Sequence, residues 1–182
     1  MREWERTDVQ GLLVINHQRN LPALDREHAH VFQDDVVTNA EQQGFGLLTT
    51  WDLFRLVRGY QRNGWSTEDV KNLFYRPGRI EPVPSQYELV GTVEAFWERP
   101  GALALAVSGA PIRVGDLVAY ELPVDFLEER VTSLRLDDDE VPEASAGSLV
   151  GLKTTLGKVQ ARKHVRVFRV RDESAQEGEG GV

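Results

Sequence analysis

The chain has 182 residues, no cysteine and a formal net charge of −8 at pH 7. That length is enough for one sizeable hydrophobic core or two small ones. The lack of cysteine excludes disulfides and thiolate metal sites and is typical of a cytoplasmic protein, which is the expected location. No apolar run approaches the roughly 20 residues of a transmembrane helix, and the first residues show no signal-peptide pattern, so no membrane contact is expected.

The charge is unevenly distributed along the chain. Residues 121–143 are strongly acidic, whereas residues 153–171 contain seven basic residues and no acidic one. The overall negative charge argues against a protein that coats nucleic acid in general. A local contact through the basic segment remains compatible with this composition.

Residues 11–50 alternate between strand and helix patterns. The apolar run 11–16 has the pattern of a strand that is buried on both faces of a parallel sheet. Apolar residues between positions 32 and 40 fall at helical spacing before Gly44, and residues 46–50 form a second short buried strand. This order of strand, helix and strand predicts a right-handed βαβ unit.

Two further helices and a linker complete the N-terminal part. One helix begins near Trp51, and another begins after Ser66, where an aspartate three residues later resembles a capping box. Pro77 and Gly78 mark the approach to a proline-bearing linker at residues 81–86. Two strands and three helices make a thin core, and a two-stranded parallel sheet has open edges. Residues 1–80 are therefore predicted to be part of a larger α/β domain, completed by a longer chain or by a partner subunit.

Short strands separated by glycine and proline predict a small antiparallel β-barrel over residues 87–171. Gly115 can take a positive φ in a turn without penalty, and the Asp116 carboxylate can bind nearby backbone N–H groups. Residues 146–152 form a glycine turn that leads into another strand. The tail, residues 172–182, is rich in Glu, Gly and Ser and is expected to be disordered. The predicted fold class is α+β in two modules.

A pattern of turns and core positions runs through the predicted barrel from about residue 89 to residue 170. The positions that carry it are residues 91–93, residues 114–118, residues 131–136, Val141, Ala144, Gly147 and residues 150–153. Together they resemble the second domain of translational GTPases such as elongation factor Tu, which implies a fold and no particular activity. The resemblance fails at Ser148, where that family usually has Asp, and at residues 162–164, where a Gly-Asp turn is usual. Residues 151–158 imitate a P-loop but have one residue too many between the glycines, so the GTPase half is absent.

The N-terminal part carries a second pattern. Its positions are residues 11–16, Leu21, Pro22, Arg26, Phe32, Ala40, residues 47–50, Leu53 and Phe54. Together they resemble the C-terminal half of a restriction-endonuclease-like nuclease domain. The resemblance implies a catalytic hairpin, with an Asp and a Glu-x-Lys that hold Mg²⁺ and orient water, but this hairpin is not in the sequence. The chain by itself is therefore not expected to be an enzyme, and no cofactor is expected.

Two possible metal sites have simpler interpretations. The triplet that begins at Asp69 and ends at Lys71 imitates the nuclease signature, but it falls in a helix, where Asp69 serves as a cap. His17, His28 and His30 lie in the first loop, where two histidines two residues apart can bind Zn²⁺. Histidines in a loop are more often solvated than bound to a metal, and the sequence leaves open both a Zn²⁺ site and a solvated loop.

Two sets of basic residues are candidates for contacts with nucleic acid. The first set recurs at intervals of three and four on one helix, so one helical face can present it to a phosphate backbone. The second set falls on a loop of the barrel and the strand that follows it. The two sets are Arg55, Arg58 and Arg62, and Lys158, Arg162, Lys163 and Arg166. The alternative for both is an ordinary solvated surface.

These observations lead to two main functional hypotheses. The first is a non-catalytic, nucleic-acid-associated portion of a nuclease-like protein, which positions DNA or RNA through its basic surfaces. The second is a protein-interaction scaffold whose barrel and open sheet edge dock a partner subunit. A continuous basic face would favour the first, and an exposed apolar patch or an unpaired sheet edge would favour the second. A third hypothesis is a translation-associated factor that recognises tRNA or a ribosome through the barrel.

Overall fold

A computed structural model of the protein describes residues 9–137, 139–158 and 160–171. The chain divides into two compact units, Met1–Pro84 and Ser85–Val182. The first unit holds a parallel sheet with helices, and the second holds an antiparallel sheet. The prediction of an α+β fold in two modules is therefore confirmed. No helix in the described ranges is long and apolar enough to cross a membrane.

The described part of the first unit contains three parallel strands and three α-helices. In chain order they are β1 (Gly11–Ile15), α1 (Asp34–Gln43), β2 (Phe45–Thr49), α2 (Thr50–Arg62), α3 (Thr67–Phe74) and β3 (Gly78–Arg79). The sheet order is β1-β2-β3, and both pairings are parallel. The prediction of two strands misses β3. A strand of two residues is too short to show alternation, and its pairing with β2 depends on residues about 30 positions away.

The helix ends lie where the sequence places its caps. Gly44 ends α1 in the left-handed region at a φ of 73°. The hydroxyls of Thr49 and Ser66 accept hydrogen bonds from the backbone N–H groups of Asp52 and Asp69 at the starts of α2 and α3. Each aspartate accepts a bond from the cap residue in return, which completes two capping boxes. Asp69 is thus occupied as a helix cap.

The core of the first unit gathers around β2. The side chains with no exposed surface in this unit include those of Ala40, Leu47, Leu48, Leu56, Leu73 and Ile80. Gly59 of α2 packs against this core, because a Cβ added there would lie 2.4 Å from the Trp65 ring. Trp65 itself is 3% exposed and belongs to this core.

The described part of the second unit contains ten strands. They are β4 (Tyr87–Trp97), β5 (Ala102–Val107), β6 (Ile112–Arg113), β7 (Leu117–Glu121), β8 (Phe126–Arg130), β9 (Leu134–Leu136), β10 (Asp139–Val141), β11 (Glu143–Ala144), β12 (Leu149–Lys153) and β13 (Arg166–Val170). Eight of them form one antiparallel sheet in the order β10-β9-β12-β5-β4-β13-β7-β8, while β6 pairs with β11. The tail that the sequence predicts to be disordered, residues 172–182, lies outside the described residues.

The second unit has its own core and a tight central pairing. Its fully buried side chains include Val90, Val93, Leu103, Leu105, Ile112, Val118, Tyr120, Val150, Leu152 and Val167. Strands β4 and β5 approach so closely at Gly91 that a Cβ there would lie 1.9 Å from the carbonyl oxygen of Ala106. The first and last strands, β4 and β13, are neighbours, with Tyr87 paired to Val170.

The turns predicted in the second unit are present. Gly115 has a φ of 97°, and the Asp116 carboxylate accepts a hydrogen bond from the backbone N–H of Arg113 at 2.8 Å. Gly147, at a φ of 92°, precedes β12. These positions are readable from sequence because glycine and aspartate fix their own local backbone.

A carboxylate fastens the loop after β12 to β8. Glu129 accepts hydrogen bonds from the Tyr120 hydroxyl at 2.7 Å and from the N–H and hydroxyl of Thr155 at 2.9 and 2.7 Å. Burial opposes ionisation of Glu129, but its hydrogen bonds, with Thr154 the largest, outweigh burial and lower its pKa. Burial and the adjacent carboxylate both raise the pKa of Tyr120. The loop is therefore held by an ionised carboxylate and a neutral phenol.

Candidate interaction surfaces

Strand β1 lies at the edge of the parallel sheet and is exposed on both faces. Its ladder to β2 is continuous, from Gly11 opposite Phe45 to Ile15 opposite Thr49. Leu12, Leu13 and Val14 are 42%, 46% and 42% exposed. Successive strand residues point to opposite faces, so apolar surface is exposed on both sides of the sheet. The prediction that this strand is buried on both faces is wrong, because β2 is its one strand neighbour among the described residues.

The residues of β1 do not protect the edge that faces away from β2, where no strand among the described residues pairs with it. Edge strands usually avoid unwanted pairing through a charged residue, a proline, a bulge or a covering segment. The sequence Gly-Leu-Leu-Val-Ile has no charge and no proline, and its register with β2 shows no bulge. This strand therefore has the composition of an inner strand in an edge position.

Helix α2 carries the first basic set on one stripe. Trp51, Arg55, Arg58 and Arg62 recur at intervals of four, three and four residues, so they lie along one side of the helix. The guanidinium of Arg58 lies 5.7 Å from the centre of the Phe54 ring. Arg62 is exposed, whereas Arg55 and Arg58 are partly buried. The predicted grouping of three arginines on one helical face is present in the structure.

Another side of α2 is apolar and partly open. Phe54, Val57 and Tyr60 are 43%, 48% and 50% exposed. A groove of about 410 Å³ runs between α2 and α3, and its lining includes Tyr60, Phe74 and Tyr75. The first unit therefore exposes apolar surface both on β1 and on its helices.

The loop histidines take part in a stack of rings. His17 meets the edge of His28 at 5.7 Å, His28 stacks on Trp51 at 5.2 Å, and Trp51 stacks on Phe54 at 5.3 Å. His28 Nε2 donates to the carbonyl of Ala23 at 2.8 Å, and His17 Nε2 bonds to a backbone carbonyl of the same loop. Within the described residues, no group of three or more His, Cys, Asp or Glu side chains is arranged to hold a metal ion. His17 and His28 therefore serve to order the loop.

The second basic set is divided between an open loop and an ion pair. Lys158, Arg162 and Lys163 are exposed in the loop between β12 and β13. Arg166 of β13 instead binds Glu121 of β7 through two nitrogens, at 2.5 and 3.1 Å. Its charge is already matched by this carboxylate, which sequence spacing does not reveal because the two residues are 45 positions apart.

Comparison with known proteins gives limited similarity. A scan against protein-family models and a search of curated proteins find no match. Among solved structures, the C-terminal domain of a Geobacillus thermoleovorans protein assigned to the U32 peptidases shares 16% identity at a TM-score of 0.41, over 46% of this chain and 93% of that chain.

Two translation factors are also similar in structure. The bacterial selenocysteine-specific elongation factor EF-Sec shares 14% identity at a TM-score of 0.37, over 88% of this chain and 26% of its own. Elongation factor SelB from Methanococcus maripaludis shares 14% identity at a TM-score of 0.33, over 90% of this chain and 36% of its own. The chain is thus similar in structure to translational GTPases, at a level that carries no activity, and the finer resemblance of about residues 89–170 to their second domain stays a prediction. The resemblance to a nuclease domain stays a prediction.

Proposed function

We propose that the first unit is a docking module that accepts a β-strand from a partner polypeptide at the free edge of β1. The observation that carries this proposal is the exposure of Leu12, Leu13 and Val14 on an uncharged edge strand. An added strand would hydrogen-bond to the backbone groups of β1 that point away from β2, in the mode known as β-augmentation. Strand addition would change β1 from an edge strand into an inner strand, which is what its composition favours.

The chemistry of β1 defines the partner. Leu12 and Val14 lie on one face and Leu13 on the other, so the partner strand must be apolar on both faces. A charged residue opposite β1 would lose hydration without gaining a counter-charge there. The expected partner segment is therefore short, extended and rich in Val, Ile and Leu, and it belongs to a protein that also shields the sheet faces.

Substitution in β1 should abolish strand addition without unfolding the unit. The probe is a peptide with the apolar sequence Gly-Leu-Leu-Val-Ile between lysines, and the measurement is amide hydrogen exchange of the full chain. We expect saturating peptide to protect β1 amides that otherwise exchange freely. The Leu13→Lys variant should lose this protection, because its charge would lie beside the added strand. Leu24→Lys, in the short 3-10 helix Ala23–Asp25 and 62% exposed, is the matched control.

Two results would contradict the proposal. One is unchanged exchange of β1 at saturating peptide, and the other is equal protection in the Leu13→Lys variant. Protection that rises with protein concentration alone, without peptide, would identify a second copy of the chain as the occupant of the edge. Sedimentation velocity on the same samples would measure that association directly.

A second candidate function is contact with nucleic acid through α2. The observation that favours it is the single stripe that contains Trp51, Arg55, Arg58 and Arg62, since clustered arginines are suited to bind successive phosphates. In the second unit, Arg166 lies on a strand and is bound to Glu121, whereas Lys158, Arg162 and Lys163 lie in a separate loop, so this set does not form one stripe. The contact proposed is therefore local to the first unit and to phosphate groups.

Charge reversal tests this second candidate. We expect binding of the chain to single-stranded DNA, duplex DNA or tRNA to weaken with salt, with a slope of about −2 to −3 in log K against log salt for three phosphate contacts. Changing Arg55, Arg58 and Arg62 to Glu should abolish it. The control changes Lys158, Arg162 and Lys163 to Glu, which alters the net charge equally in the other unit. An equal loss of nucleic-acid affinity in both variants would contradict a site on α2, and so would the lack of any binding at low salt.

A further inference from the structure

The second unit has a pocket of about 460 Å³ on the face of its sheet that points away from the core. Leu134 and Leu152 point into the core and are 1% and 0% exposed. Their neighbours Arg135, Gly151 and Lys153 must therefore point to the opposite face. Arg135 is paired with Gly151, and Lys153 is paired with Ala102 on the next strand, so the ladder places the four together.

The floor of the pocket is open because Gly151 has no side chain. Ala102 continues this floor with a single methyl group. A Cβ on Gly151 would lie 3.6 Å from the Cβ and the carbonyl oxygen of Arg135, which is an ordinary contact distance. The packing of the sheet therefore does not require glycine at this position. Its effect is to leave room above the strand, between the side chains of Arg135 and Lys153.

The lining of the pocket carries two cations, Arg135 and Lys153, and one carboxylate, Glu140, on a chain whose net charge is −8. Among the described residues, the ammonium of Lys153 has no ion-pair partner. Arg135 donates to Glu140 at 3.3 Å, but both side chains are more than 60% exposed, so this pair is weak and leaves other guanidinium donors available. Thr132 and Ser133, which each carry a hydroxyl, line the same space.

We propose that this pocket binds a small organic anion, a carboxylate or a phosphate monoester. Lys153 and Arg135 contact the oxyanion, the hydroxyls of Thr132 and Ser133 donate to it, and the apolar part of the ligand lies against Ala102. The volume falls in the range of about 300–1,000 Å³ that is usual for small-molecule sites. Charge-assisted hydrogen bonds from two cations give such a site its selectivity for anions.

NMR titration of the ¹⁵N-labelled full chain tests the proposal. The probes are phenyl phosphate, benzoate and the neutral benzyl alcohol, which share an aromatic ring and differ in the anionic group. We expect saturable shifts of the amides of Gly101, Ser133 and Gly151 with at least one anion. The anion that binds with the higher affinity identifies the ligand as a phosphate monoester or a carboxylate.

Three variants distinguish binding in this pocket from nonspecific binding of anions. Lys153→Met removes one cation and should weaken affinity about tenfold. Gly151→Val keeps every charge and fills the floor, so it should weaken binding by a similar factor while amide shifts of the core strands stay unchanged. Lys163→Met removes an exposed cation outside the pocket and should have no effect.

Other results would overturn the proposal. Shifts that grow linearly without saturation would mean adventitious binding only. An equal effect of Lys163→Met and Lys153→Met would mean general charge attraction, and equal affinity for benzyl alcohol would exclude recognition of the anionic group.

Discussion

Replacing Asp52 with alanine should lower the free energy of unfolding of the first unit by about 3–5 kcal/mol. The Asp52 side chain is 5% exposed. Its carboxylate accepts hydrogen bonds from the Thr49 N–H at 2.8 Å and from the Thr49 hydroxyl at 2.6 Å. It also forms an ion pair with Arg79 at 2.9 Å. One carboxylate thus joins the start of α2 to β3. Its removal leaves the guanidinium of Arg79, which is 20% exposed, without this partner.

Asp69→Ala is the matched control for this effect. Asp69 makes the same capping box with Ser66, at 2.7 and 3.0 Å, but no ion pair to it is found among the described residues. Loss of a cap alone costs about 1 kcal/mol. Urea unfolding followed by the amide hydrogen exchange of β2 and α2 measures both variants. Equal losses in the two would mean that the pair with Arg79 contributes nothing to stability.

Replacing Gly91 with alanine should destabilise the second unit by about 3 kcal/mol or more. The added Cβ would lie 1.9 Å from the carbonyl oxygen of Ala106 and 2.8 Å from its carbonyl carbon. Both atoms belong to the backbone of β5, which is paired to β4 in the middle of the sheet, so no side-chain rotation relieves the clash. The two strands would have to separate and lose ladder hydrogen bonds.

Gly151→Ala is the control for the second prediction. It lies in the same sheet, on strand β12, which pairs with β5, and its added Cβ would meet its nearest atoms at 3.6 Å. We expect its unfolding midpoint to stay within a few tenths of a molar urea of the original, at an unchanged slope. Near-UV circular dichroism and amide exchange of β4 and β5 provide the measurement. A Gly91→Ala variant as stable as Gly151→Ala would show that the strands separate at little cost.

Features that depend on adjacent residues could be predicted from the sequence. The capping box at Ser66, the left-handed Gly44 and the turn at Gly115 each follow from a few neighbouring residues, and all are present. The apolar run of β1 also correctly predicts a strand. Its exposure could not be predicted, because burial depends on which segments surround a strand and β1 has β2 on one side alone within the described residues.

The features that sequence reasoning missed depend on distant pairings. The bond of Arg166 to Glu121 and the third strand at Gly78–Arg79 both join segments far apart in the chain. The candidate anion pocket combines the turn near Gly101, the loop before β9 and the outer face of β12. The one local signal was a glycine at position 151 between Val150 and Leu152, where a strand would ordinarily carry an outward side chain.

The pairing of β4 with β13 determines how the second unit can be joined to other proteins. Tyr87 stands opposite Val170, and the N–H of Arg171 donates to the carbonyl of Gln86 at 2.9 Å. The first residue of β4 and the last residue of β13 thus lie about 5 Å apart. A domain with such adjacent ends can be inserted into a surface loop of a host protein, or circularly permuted with a short linker. The two neighbouring strand ends, Tyr87 and Val170, therefore meet the distance requirement for such an insertion.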